Sequence, residues 1–309
     1  ILVTPPTNAE EGSIKIAAVQ GNANAGLFAN PVRGSILEKH LRASRLVLPP
    51  KSTEKPDLVV WPENSADINP ASDPTTAIEL NNFVTNQLGA PLILGTITER
   101  DSKFYNESQL WLPDKGPVDY YAKKRPVPFA EYVPDRDFWY ALAPDLIGLI
   151  AHGYDFGTRD GIYEVAKTKV GVNICFEIAV DELNRDLVSG GARVIISQTN
   201  NSDFGHSDET FQQAAIARLR AIETGRVLVN DSTVGVTAAF APDGSTIASI
   251  EAFKPGAIKF DAALRLSTTP AYWFGPLFVF AVNLSAVIAL AISITLELTT
   301  RKRRKRGEV

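Results

Sequence analysis

The chain has 309 residues, 45% of them apolar, which suits one large α/β domain or two smaller ones. A single cysteine excludes an intramolecular disulfide and any zinc site built from cysteine pairs; the three histidines, His40, His152 and His206, form no HExxH-type pattern, so neither a metal nor a cofactor is expected. The formal charge is −4, but the last nine residues, RKRRKRGEV, carry six positive charges and one negative, which leaves the preceding 300 residues at −9 and argues against nucleic acid as a partner of the main body.

The chain opens at Ile1 and contains no methionine, so a piece of a longer or processed protein is expected. Residues 1–12 read as a linker, and SIKIAAVQGN (13–22) alternates and then turns apolar, as a buried strand would. A helix is predicted near 34–48, a short strand running into a loop at DLVVWPEN (57–64), and a second helix over 75–89 with Gly89 as its stop. Strands follow at 90–99, 104–114 and 118–129. Residues 130–168, rich in proline, aspartate and aromatics without a clean period, read as a long loop or lid. Beyond the strand that ends at Cys175 come a helix near 178–188, a strand at 192–201 and an amphipathic helix over 208–225, whose apolar face is Phe211, Ala215, Ile216, Leu219 and Ile222. Strands turning at PDG fill 226–250, and strands alternating with helices favour an α/β fold. From Leu277 to Leu296 there is no charged residue, enough helix to span a hydrocarbon core of about 30 Å. Tyr272, Trp273 and Phe274 precede it and the basic run follows, matching the flanks of a membrane span.

Three residues stand out chemically. Cys175 closes an apolar run, where a cysteine is ordinarily an inert small hydrophobe. Glu63 sits beside Trp61 and Pro62, either a surface-loop acid or an enclosed one, and Lys123 lies among aromatics and prolines, in a site or in a solvated basic cluster with Lys124 and Arg125. A nucleophilic thiol needs a base and positive charge nearby, and a buried carboxylate and a fixed lysine supply both. The lysine, with a backbone N–H just past the cysteine, can also hold a tetrahedral oxyanion. Cys175 has no evident histidine partner, and the absence of a GxSxG elbow disfavours a Ser–His–Asp site.

VVWPEN (59–64), AKKRPVPFAEYVP (122–134) and VNICFE (172–177) together resemble the three catalytic segments of the nitrilase (carbon–nitrogen hydrolase) superfamily. The resemblance implies a four-layer α-β-β-α sandwich, here followed by one transmembrane helix. It also implies Glu63 as general base, Lys123 as oxyanion stabiliser and Cys175 as nucleophile. Within the superfamily the chain is similar to the apolipoprotein N-acyltransferases, in KKRPVPFAEYVP, in ICFEI, in QTNNSDFG and in the helix that follows. That likeness selects Lys123 over Lys124, makes Glu131 and Glu177 supporting acids that orient Lys123 or balance its charge, and points to Phe176, Phe204 and Trp139 as substrate-binding residues. The chain departs from that pattern at Phe176 (usually Tyr), Asn201 (usually Asp) and Asp203 (usually Trp).

The implied division is a linker at 1–12, a catalytic domain at 13–270, a membrane helix at 271–298 and a basic cytoplasmic tail at 299–309. The catalytic domain then lies outside the cytoplasm, anchored in the cell membrane. The implied partners are a phospholipid acyl donor, a diacylglyceryl apolipoprotein acceptor and the bilayer itself, with an acyl chain carried as a Cys175 thioester. Phe129–Ile150 would be a lid resting on the membrane, or simply local core. An amidase cleaving a C–N bond of a small soluble substrate is the alternative, and a non-catalytic membrane scaffold a third reading.

Overall fold

The computed structural model describes residues 5–24, 32–48, 54–150 and 153–305. Residues 1–4 of the expected linker, His152 in the lid stretch and residues 306–309 of the basic tail lie outside the described residues. The chain divides into two units, Ile1–Ser267 and Thr268–Val309.

The first unit begins with β1 (Ser13–Gln20), α1 (Ser35–Ser44) and β2 (Leu58–Val60). Next comes α2 (Pro74–Asn82), started by Asp73, whose side chain accepts the Thr76 N–H, and by Pro74 at the first position. It tightens into a π-helical turn, Phe83–Leu88, which Gly89 stops in the left-handed conformation (φ 55°). Three antiparallel-linked strands follow: β3 (Leu92–Arg100), β4 (Lys103–Leu112) and β5 (Gly116–Ala122). The stretch expected to be loop holds two short helices, α3 (Arg136–Leu142) and α4 (Pro144–Gly148), and an edge strand, β6 (Ile162–Val165). Their brevity explains why no period reached the sequence: five to seven residues make at most two helical turns. Then come β7 (Thr168–Ile174), a 3₁₀ turn over Cys175–Ala179, α5 (Asp181–Ser189), β8 (Val194–Thr199), a second 3₁₀ turn over Ser202–Phe204 and α6 (Glu209–Thr224). Strands β9 (Val227–Ser232), β10 (Thr237–Phe240), β11 (Thr246–Ile250) and β12 (Gly256–Ala263) complete the unit.

The strands form two six-stranded sheets, ordered β12-β1-β2-β3-β4-β5 and β11-β10-β9-β8-β7-β6. Each has a parallel centre, β1-β2-β3 in one and β7-β8-β9 in the other, flanked by antiparallel strands. Side-chain alternation builds the layers. Ile14, Ile16 and Ala18 of β1, with Leu58 and Val60, face a core shared with Val170, Val172 and Ile174 of β7 and Val194 and Ile196 of β8. Ala17, Val19, Val59 and Trp61 point the other way, onto Leu37, Leu80, Phe83 and Val84. With α5 and α6 against β7, β9 and β10, the result is the α-β-β-α sandwich the resemblance implied.

One expectation fails here, and one strand went unread. The buried face of α6 is Thr210, Gln213, Ala214, Ala217, Ala221 and Thr224, while Phe211, Ala215 and Leu219 are exposed. Small side chains let the helix approach its sheet closely, so its largest apolar residues sit outside. The sequence also gave no sign of β12, which pairs with β1 across most of the chain's length.

The second unit is one helix, α7 (Pro270–Lys305). Its Pro270–Arg301 portion is long and apolar enough to cross a membrane.

Candidate active site

Glu63 is delivered by the shortest central strand. Leu58, Val59, Val60 and Trp61 are all buried, Pro62 cannot continue the ladder, and Asn64 turns at φ 52°. The turn packs so tightly on β3 that a Cβ on Gly95 would lie 2.6 Å from the Glu63 Cα and the Pro62 oxygen, so only glycine fits there. The carboxylate is 3% exposed and accepts three bonds: Asn106 Nδ2 at 2.6 Å and Lys123 Nζ at 3.4 Å on one oxygen, the Asn200 N–H at 2.7 Å on the other.

Lys123 follows β5 directly. Its N–H donates to the Asn106 carbonyl and its own carbonyl accepts from Gly157. The ammonium, 1% exposed, bonds the Glu131 carboxylate at 2.9 Å as well as Glu63. Lys124 turns outward to Asp160. Glu131 is fixed in turn by the Val127 N–H and by Asn106 Nδ2, which bridges the two carboxylates.

Cys175 sits where β7 breaks into its 3₁₀ turn, with φ 54°. A non-glycine residue there carries backbone strain of about 1–3 kcal/mol, which the surrounding packing must over-determine. Glu177, fully buried, does much of this: it accepts the Ile174 N–H, the Tyr121 hydroxyl and the N–H groups of Lys124 and Arg125. It thereby ties the cysteine turn to the lysine loop without a bond to the Lys123 ammonium, so of the two expected supporting acids only Glu131 touches that lysine.

The electrostatics follow from burial. Burial pushes the Cys175 thiol up to about 12, with the Glu63 charge adding to it, while Lys123 and a 3.5 Å contact from Gln213 Nε2 pull it back. Burial likewise raises the Glu63 carboxyl, against the pull of Lys123. For Lys123 burial favours the neutral form, but the charges of Glu63 and Glu131, joined by that of Cys175 once it ionises, outweigh it and hold the ammonium above its ordinary value. The resting site is therefore a neutral thiol beside a buried acid and a permanent cation. Such a set can move a proton from sulfur to carboxylate as a bond to carbon forms.

Of the aromatic residues singled out, Phe176 follows the cysteine and is 43% exposed, and Phe204 ends the 3₁₀ turn beside Asn200 and Asn201. Trp139 lies on α3, edge-on to Phe129 and Phe138. A cavity of about 570 Å³ opens where Ala23, Lys39, Arg42, His206 and Phe253 converge. Hydrogen bonds link its wall to the site: Ala23 N–H donates to the Thr233 carbonyl, and the Thr233 hydroxyl to Asn200, whose N–H holds Glu63.

Sequence reasoning missed Asn106, Asn200 and Gln213. Asn106 is a polar residue buried in a strand, and Gln213 a polar residue on the buried face of a helix. For Asn106 that mismatch with its surroundings was the available signal; for Gln213 there was none, because the large apolar residues of its helix mark a different face.

The carbon–nitrogen hydrolase family matches residues 15–269. Among curated proteins the chain is 31% identical to the apolipoprotein N-acyltransferase of Mycolicibacterium smegmatis, over 92% of this chain and 49% of that protein. It is 29% identical to that of Vibrio cholerae, over 88% and 54%. The chain thus spans about half the length of these relatives. Among solved structures, an amidase from Nesterenkonia sp. superposes with a TM-score of 0.61 at 16% identity, covering 87% of this chain and 98% of that one. A CN-hydrolase superfamily protein from Xanthomonas campestris superposes at 0.58 and 16%, covering 81% and 90%.

Proposed function

The chain belongs to the carbon–nitrogen hydrolase family, and from that premise we propose that it is the catalytic part of an apolipoprotein N-acyltransferase. One observation carries the reading: the chain joins a buried acid–lysine–thiol set to a helix long and apolar enough to cross a membrane. An amidase working on a small soluble substrate has no use for that helix. The names of the curated relatives support the same reading.

In the first half-reaction the Cys175 sulfur attacks the ester carbonyl of a phospholipid while its proton passes to Glu63. Lys123 and the backbone N–H after Cys175 receive the charge on the carbonyl oxygen. The tetrahedral centre collapses, the C–O bond breaks, and Glu63 returns the proton to the departing alkoxide, which leaves as a lysophospholipid. In the second half the neutral α-amine of a diacylglyceryl-cysteine attacks the thioester. Glu63 takes a proton from nitrogen, the C–S bond breaks, and the thiolate is reprotonated, leaving an amide and a free thiol.

Glu131 keeps Lys123 charged and aimed, and Glu177 holds the two loops in register. Phe176, Phe204 and Trp139 offer apolar surface to acyl chains, and the exposed Phe138, Tyr140, Leu142, Leu146 and Leu149 of the α3–α4 segment form a lid that rests on the bilayer.

The test is acyl transfer from a labelled phospholipid. The proposal predicts a label on Cys175 that persists until a lipopeptide amine is added and is absent in Cys175→Ala. Lys123→Met should slow acylation by about 10²–10³, as loss of an oxyanion donor does. Lys124→Ala, which removes only an outward ion pair, should change it by less than about threefold. Ammonia release from small amides without acyl transfer would instead establish the amidase.

A further inference from the structure

Asp231 is fully buried at the end of β9, and the chemistry just described does not use it. Its Oδ2 has no hydrogen-bond partner, and neither does the Oε1 of Gln198. The two residues are register partners on the adjacent parallel strands β8 and β9, so their side chains share a face. That face is the inter-sheet layer, since Ile196 and Val229, two residues before each, lie in its core. The Gln198 amide is oriented by its other end: Nε2 donates to the Trp61 carbonyl at 2.6 Å, and a flipped amide would set oxygen against oxygen. Two buried acceptors therefore belong to register-paired neighbours on one layer, each without a hydrogen-bond partner, an arrangement that is unfavourable while it stays unpaired.

We infer that Asp231 is a protonated carboxylic acid whose Oδ2–H donates to Gln198 Oε1, and that this pair positions Glu63 through the Trp61 carbonyl. One proton satisfies both orphaned acceptors. The surroundings agree: Ile196 and Gln198 of β8, Thr237 and Ala239 of β10, and Ala18 and Gln20 of β1 face the same layer, and none is charged. Burial drives the Asp231 carboxyl well above its ordinary range, against weaker opposition from the Thr237 hydroxyl and the Val19 and Ser232 N–H groups. The acid thus serves as a hydrogen-bond donor buttressing an amide, whose far end anchors the peptide unit two residues before the general base. Positioning of Glu63 matters only if Glu63 is the base; the protonation state does not depend on that, and the measurements separate the two.

The linkage sign is fixed. The native state keeps a proton that the unfolded chain releases above about pH 4, so Asp231 lowers stability progressively as pH rises from there towards its folded value. Asp231→Asn, whose Nδ2 can donate to Gln198 as the acid does, has no such dependence. We expect infrared spectra at pH 7 to show a protonated-carboxyl band that disappears in Asp231→Asn, and the unfolding midpoint of the variant to gain on the wild type as pH rises. Should the variant fail to fold, Gln198→Leu, which removes the acceptor, must shift the same band. An unchanged band in these variants means an ionised carboxylate or a bridging water, and overturns the inference. For positioning, the pH profile of Cys175 alkylation should match wild type in Asp231→Asn. In Asp231→Ala alkylation at pH 7 should slow by about tenfold, the scale of a displaced catalytic group. Equal profiles in the two variants would refute the positioning role while the infrared result decides the protonation.

Discussion

The thiol of Cys175 is held in its neutral form by burial and by the Glu63 charge, and four groups bear on how readily it gives up its proton: Glu63, Lys123, Gln213 and Glu131. Gln213 is the one whose removal disturbs the charge balance least. Its Oε1 accepts from Asn201 Nδ2 at 2.5 Å, so its Nε2 faces the sulfur. Asn201 is itself bound by the hydroxyls of Thr199 and Ser232. A donor to sulfur stabilises thiolate over thiol; Gln213→Leu should therefore raise the thiol pKa further. At any pH below that value the thiolate fraction drops, and iodoacetamide alkylation should slow by roughly fivefold, the equivalent of about 1 kcal/mol. An alkylation–pH curve that keeps its position would mean that the contact does not reach the sulfur. Glu63 and Cys175 stood out in the sequence because each ends an apolar run, where an acid or a thiol is conspicuous, whereas Lys123 was picked out from Lys124 only by the family resemblance. Asn106, Asn200 and Gln213 were not legible, because their value lies in partners 43, 137 and 38 residues away.

At the scale of elements, the strands were easier to read than the helices. Strand runs such as IAAV and LVV are apolar on both sides because both sheet faces are covered, one by the opposite sheet and one by helices. α6 misled for the opposite reason. Periodicity tracks side-chain size, and on this helix the face with the large residues is not the packed one. Ala217 and Ala221 are fully buried, while Leu219 is 63% exposed. Enlarging a packed alanine should therefore cost more than trimming the exposed leucine. Ala217→Leu is expected to destabilise the domain by about 1–3 kcal/mol through overpacking, and Leu219→Ala by no more than about 0.5 kcal/mol. Denaturant midpoints for the two variants check this; the reverse order would restore the face read from the sequence. The edge strand β12 is a further case: its partner β1 lies more than 200 residues earlier, and nothing local marks the pairing.

At the scale of the whole molecule, the sequence announces the membrane helix most plainly, since twenty uncharged residues with aromatics before them and a basic block after them need no tertiary information. What the helix means for the domain depends on which end faces the cytoplasm. Lysine and arginine close to a span are retained on the cytoplasmic side, and the tail holds six of them against one glutamate. If the tail sets the orientation, the acidic body is exported. The lone cysteine makes this measurable, because in a Cys175→Ala background any cysteine introduced elsewhere is the sole thiol. Ser72→Cys places one on an exposed loop of the domain. A membrane-impermeant maleimide should label it in cells whose cytoplasmic membrane is intact and accessible from outside. Replacing the six basic tail residues with glutamine should make labelling from outside fall, as molecules insert in both orientations. If the native tail gives labelling only after the membrane is broken, the domain faces the cytoplasm. Acyl transfer to an exported lipoprotein would then have no substrate on that side.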